Sequence, residues 1–370
     1  MKDGIINVYK PAGMTSNDVI YKMRSVLGIR KLGHTGTLDP MATGVLPVLI
    51  NRGTRITEYL DLDFKTYLCT MVLGITTDTQ DITGNVISKA VLDKFSNLSE
   101  KDVEEAFSGL HGLIDQLPPM YSAVRVNGRK LYEFMHSGEE IPEEFREKIK
   151  PRQVYIKDLK ILRFAQNDTQ NETNGSFEVT FEVTCSKGTY IRTICQDVGD
   201  ILGCGATMKS LERTASGAFT KENAYTLEEI REYAKEVGIL DENYYSINKV
   251  FTEEIPEKME KFVVGLDYPM TIFGEAVVDN EIARKFIDGW HIGYRECRIK
   301  KKPEYEDIVD PSALRTHENA GSNPGIKYHP EYKKGYKIYR EDGLFLGVAF
   351  HSNKYHKLVA DKVFLRAEEL

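Results

Sequence analysis

GHTGTLDPMATG, residues 33–44, is the stretch on which the reading of this chain turns. Glycines at 33, 36 and 44 together with Pro40 argue against a periodic helix or a ladder strand there, which places Asp39 on an irregular, tightly turned loop. Such loops, carried on a rigid scaffold, are where function concentrates. Just upstream, GIINVYKPAG reads as a strand over residues 5–8 that ends in a turn with Lys10 at its mouth. Ser16 is then placed to cap a helix in which Val19, Ile20, Met23, Val26 and Leu27 follow the helical spacing, with Gly28 as its stop. Downstream, VLPVLI (45–50) reads as a short buried strand, and Pro47 inside it points to a sheet edge or a bulge.

Further along, Tyr67, Cys69, Met71 and Leu73 alternate with Leu68, Thr70 and Val72, a strand with Tyr67 on one face. Ser99 and Asp102 form a capping-box start for a helix through Phe107. PPMYSAVRVNGRKLYE (118–133) reads as a strand, an Asn127-Gly128 turn and a helix start. In SFEVTFEVTC (176–185), Phe177, Val179, Phe181 and Val183 share one face and Glu178, Thr180, Glu182 and Thr184 the other, as in a half-buried antiparallel strand. AQNDTQNETNGS (165–176) is polar and reads as a mobile loop or hairpin extension. Residues 227–261 are acidic, opening as a helix and loosening into a linker over 241–261. After it come a helix at 280–290 and short strands at 335–340, 344–350 and 362–365, the pattern of a small β-rich domain, with residues 295–334 as an insertion.

At 370 residues the chain is long for one domain, and two are expected. A hydrophobic share of 41% with 28% charged residues is that of an ordinary globular protein. No apolar run reaches spanning length and no secretory signal is visible, which makes a cytoplasmic location the default expectation. Five cysteines without a C-x-x-C pair fit reduced thiols better than a disulfide framework or a zinc site. The net charge of −7 argues at first against a polyanionic partner. Its distribution argues the other way, because residues 1–60 hold eight Lys/Arg against four Asp/Glu whereas residues 221–261 hold six against eleven.

An ordinary carboxylate of pKa about 3.9 is ionised at neutral pH, so Asp39 suits a nucleophile or a base. Taken alone, however, an Asp-Pro pair in a glycine-rich loop is more often a turn residue bonded to its own backbone. Other chemistries find less support. Walker-A spacing, a dinucleotide fingerprint, a G-x-S-x-G elbow and paired metal-binding histidines are all missing. What remains is a cofactor-free, metal-free reaction resting on one acid, and chemistry at a glycosidic carbon is of that type.

Six blocks in order carry a resemblance: VYKPAGMTS (8–16), GHTGTLDPMATG (33–44), KTYLCTMVLGITTDTQD (65–81), PPMYSAVRVNGRKLYE (118–133), CSKGTYIRT (185–193) and LERTASGAF (211–219). Together they resemble the TruB-type tRNA pseudouridine synthases. The resemblance implies an α+β fold: a pseudouridine-synthase-like mixed, largely antiparallel sheet flanked by helices over residues 1–240, then the linker, then a PUA-like β domain over 262–370. It implies isomerisation of one T-loop uridine of tRNA by a monomer that needs no cofactor, membrane, guide RNA or protein partner.

By the same resemblance Asp39 is the catalytic aspartate, Tyr67 stacks on the target uracil and Arg192 pairs with the aspartate. His34 matches a residue that helps flip the nucleotide, and Tyr190 and Leu211 match residues lining the uracil pocket. Lys10 matches a lysine beside the site, with a structural role and a phosphate contact equally open. Whether Asp39 attacks the sugar, attacks the base or takes a ribose proton stays open at this level. Arg125, where the family commonly has lysine, the continuation LYEFMHSGEEI and the two insertions depart from the family pattern.

Overall fold

A computed structural model describes residues 2–60, 63–91, 95, 97–137, 142–143, 147–167, 176–241, 243, 251–304 and 335–370. Gly4–Lys10 (β1), Leu32–His34 (β2), Thr43–Ile50 (β3) and Lys65–Leu73 (β4) belong to an eleven-stranded sheet among these residues. Its main path runs Tyr225–Thr226, β1, β3, Ala206–Ser216, β4, Ser176–Cys185, Arg152–Asn167 and Gly112–Gln116. Pairing is antiparallel except at two junctions, β1 with Tyr225–Thr226 and β3 with Ala206–Ser216. Helices pack on this mixed sheet, and a second sheet of six strands with helix Asn280–Ile287 forms the C-terminal β domain. The fold is therefore α+β, as the sequence implies.

The alternation in Ser176–Cys185 places Phe177, Val179, Phe181 and Val183 in one apolar core with Cys69, Met71 and Leu73 of β4. Burying each such large side chain contributes about 1.5–3 kcal/mol. The helix Ser16–Leu27 (α1) ends at Gly28, whose φ of 64° is left-handed and whose N–H bonds the Arg24 carbonyl. Asn127 and Gly128, both at positive φ, turn the hairpin Arg125–Val126/Arg129–Lys130.

Several local expectations are refined. Thr15, not Ser16, is the N-cap of α1, with a capping box to Asp18. Ser16 is buried, and its hydroxyl instead bonds the backbone of Leu38. Pro47 lies inside the sheet, between β1 and the line of β2, because its carbonyl accepts from Thr35 on the side where the β2 ladder has already ended at His34. The N–H it lacks thus falls where no partner strand asks for one. In the polar segment Ala165, Gln166 and Asn167 pair with Glu178, Phe177 and Ser176, the hairpin extension that the sequence offers beside a mobile loop, and residues 168–175 lie outside the described set.

The acidic linker also differs. Ile255, Met259 and Phe262 are buried in the core formed by α1, β1 and helix Leu227–Glu236, and Val263–Val264 pairs with β1. Charged residues on its outer face hid an apolar set that docks. Within the C-terminal insertion, Arg298–Lys301 is an edge strand on Gly274–Val278, while residues 305–334 lie outside the described set. Leu266, Met270, Phe273, Val348, Phe350 and Phe364 of the second domain pack on Ile5, Val45, Leu49, Tyr59 and Phe219 of the first.

Candidate active site

The loop after β2 satisfies only part of its own backbone, and its shape follows from the donors and acceptors around it. Thr35 N–H bonds the Pro47 carbonyl, and the Asp39 carbonyl accepts from Ala42 at 3.0 Å. Leu38 N–H donates to the Ser16 hydroxyl at 2.9 Å, while the Pro40 carbonyl accepts from Gly13 N–H at 2.9 Å and from Lys10 Nζ at 3.2 Å. Leu38 and Ala42 are buried in the main core, so both shoulders of Asp39 are fixed and the side chain between them projects from a rigid turn.

Two buried cations complete the support. Lys10 is fully buried and gives its three N–H donors to the carbonyls of Pro11 (2.9 Å), Met14 (2.6 Å) and Pro40. That leaves none for a phosphate, and burial pulls its pKa down to about 8. Arg213, 1% exposed, donates through Nε to the Val45 carbonyl at 2.7 Å and through Nη2 to the Gly36 carbonyl at 3.0 Å. Glycine is required at 44, where φ is 109° and a Cβ would stand 2.2 Å from the Arg213 carbonyl oxygen.

Asp39 meets Arg192 in a two-pronged pair: Nε lies 3.0 Å from Oδ2 and Nη2 donates to Oδ1 at 3.2 Å. The same guanidinium donates to the carbonyls of Thr79 at 2.9 Å and Tyr121 at 3.0 Å. It therefore ties three blocks distant in sequence to one carboxylate. Arg192 lies in the first turn of helix Ile191–Ile201, whose N-cap, Tyr190, is clamped by the Gln116 amide on both its N–H (2.7 Å) and its carbonyl (3.0 Å). The Asp39 side chain keeps 34% of its surface open. Burial nonetheless raises its pKa above the ordinary carboxylate value; Arg192 opposes the shift and nearby Asp81 adds to it. Charge pairing alone does not set this group's acidity.

Tyr67 and Tyr190 lie within the field of the Asp39 charge, and burial raises both phenols. Tyr67 stands on β4 directly opposite Arg213. Leu211 is buried on the same strand as Arg213, opposite Cys69. His34 ends β2, half-buried, with its pKa lowered by burial and by Arg213, and its Nδ1 has no hydrogen-bond partner. The structure thus groups Asp39, Arg192, Tyr67 and Tyr190, sets His34 on the loop's approach, and puts Lys10 beneath. Ser16, the Thr79 and Tyr121 carbonyls and Arg213 were missed by sequence reasoning. Only Arg213 left a signal, its inward phase two residues after Leu211.

The TruB family pseudouridylate synthase N-terminal domain matches residues 24–191, and the tRNA pseudouridylate synthase B C-terminal domain matches 192–264. The tRNA pseudouridine synthase B of Clostridioides difficile (strain 630) is 46% identical over 288 residues, 78% of this chain and 83% of that protein. That of Clostridium novyi (strain NT) is 37% identical over 356 residues, 96% of this chain and 98% of that protein. Among solved structures, a Cbf5–Nop10–Gar1 complex gives a TM-score of 0.63 at 21% identity, covering 99% of this chain and 86% of that one, a likeness of fold. Matches of this extent and identity, running through the loop and the helix that carry the Asp39–Arg192 pair, mean that the chain belongs to the TruB family of tRNA pseudouridine synthases.

Proposed function

We propose that the chain isomerises a uridine in the T loop of tRNA to pseudouridine, as a stand-alone enzyme without guide RNA. In this reaction the N1–C1′ bond breaks, the base turns, C5 bonds C1′, and the proton leaving C5 is balanced by one gained at N1. Nothing is oxidised and no phosphate is spent. The observation that carries the reading is the Asp39–Arg192 pair, a carboxylate held by two hydrogen bonds yet open at one side. Arg192 takes one lobe of each oxygen and leaves the others free to act on the uridine.

Around that carboxylate, Tyr67 offers a phenol face on which an extruded uracil can stack, offsetting the stacking lost in the RNA. Tyr190 and Leu211 supply the apolar lining, and His34, held neutral by burial and by Arg213, enters the space the base vacates. The C-terminal β domain, PUA-like in this reading, grips the stems beyond the loop. Purified protein incubated with an unmodified tRNA transcript alone is expected to form pseudouridine at one T-loop position, read by site-resolved pseudouridine mapping. Product absent, or formed elsewhere, overturns the assignment.

A further inference from the structure

We propose that Arg213 is a positioning residue for the reaction, holding the Asp39 loop and the Tyr67 ring in one fixed relation. The inference rests on the reading just given. Arg213 occupies the point at which Ala206–Ser216 is paired on both edges, with Gly44 opposite it on β3 and Tyr67 opposite it on β4. Cross-strand partners in an antiparallel pair project on the same face, so the guanidinium and the phenol rise side by side. From there the guanidinium reaches under the loop to the Gly36 and Val45 carbonyls, one near each end of the turn that carries Asp39.

A buried cation of this kind is normally met by a carboxylate. Among the described residues Arg213 has no ion pair; its acceptors are the Gly36 and Val45 carbonyls and the Tyr67 phenol oxygen. Its charge is thus met by the loop carbonyls and the Tyr67 oxygen, and moving either element would strip the cation of a partner. The fit is close from the other side as well, since a Cβ on Gly36 would lie 2.9 Å from Nη1. One planar, three-armed group therefore couples two elements that the sequence separates, and a shift of about 1 Å in such an alignment costs on the order of a hundredfold in rate.

The test is a double-mutant cycle of Arg213→Lys and Gly36→Ala, read as single-turnover pseudouridine formation, tRNA Kd and Tm. Lysine keeps the charge but not the fork; alanine keeps the fork but pushes it from above and strains the loop at Gly36, whose φ is 68°. Each variant is expected to lose about a hundredfold in rate with Kd within about threefold of wild type, and the double variant to lose less than the product of the two. Either single variant, while folded, keeping its rate within threefold, rate and Kd falling by equal factors, or losses that multiply would overturn the role. If Arg213→Lys does not fold, Arg213→Gln, which keeps an amide donor for the loop carbonyls, is read by the same criteria. Wild-type protein that makes no pseudouridine overturns the function and this inference with it, whereas active wild type with variants that fail these criteria overturns this inference alone.

Discussion

Asp39 is held in a contest between burial, which raises its pKa, and Arg192, which lowers it. Activity that needs the carboxylate should therefore fall on the acid side at a pH above the ordinary Asp value. Removing the opposing charge sharpens the point: in Arg192→Met the acid limb of the pH–rate profile moves to higher pH, because the pKa rises further once the guanidinium is gone. A profile that stays put would separate Asp39 from the rate. Arg192→Met also strands the Thr79 and Tyr121 carbonyls, so kcat falls even at the new optimum. Lys10 belongs at the same scale; its contacts make it a tie for the Pro11–Met14 turn and Pro40.

At the scale of elements, the loop is built from donors lent by its neighbours. Ser16→Ala leaves the buried Leu38 N–H unsatisfied and should cost about 1–3 kcal/mol in urea unfolding, with a slower reaction and nearly unchanged tRNA affinity. Gly44→Ala puts a methyl against the Arg213 backbone at a left-handed φ and should cost more, beyond about 2 kcal/mol, by prising β3 from its parallel partner. Periodic elements were legible: α1 to its Gly28 stop, the Ser99–Asp102 capping box and the alternation of Ser176–Cys185 all rest on local spacing. Asp39, Tyr67 and Arg192 were legible as members of ordered blocks. What escaped depends on tertiary neighbours. Ser16 gives no sign of preferring Leu38 to a capping role, Pro47 reads as a sheet edge unless the end of β2 is known, and the buried phase of Ile255, Met259 and Phe262 is masked by the glutamates between them.

For the whole molecule, the two domains meet over an apolar patch and through Arg52, which donates to Asp3 at 2.7 Å and grips Glu369 with both terminal nitrogens at 2.7 and 2.9 Å. Hydrogen bonds from Arg52 hold the Glu369 carboxyl down at about 2 against 4.5 when free. A depressed acid stabilises the fold above its unfolded pKa and loses that contribution as pH falls through the folded one. The Tm penalty of Arg52→Ala should thus be fully present at pH 7 and shrink between pH 4.5 and 2; a penalty independent of pH would argue against the tie. Despite a net charge of −7, tRNA affinity should fall steeply with salt, since the basic residues gather in the part of the chain that builds the Asp39 loop. A flat response would place the RNA elsewhere. The most direct test of the account is a comparison of wild type and Asp39→Asn under single-turnover conditions on an unmodified tRNA transcript, with binding measured alongside. The predicted result is conversion by wild type, none by the variant, and tRNA affinity of the variant within about tenfold, roughly 1.4 kcal/mol. Conversion by Asp39→Asn, or a loss of binding that matches the loss of product, would contradict it.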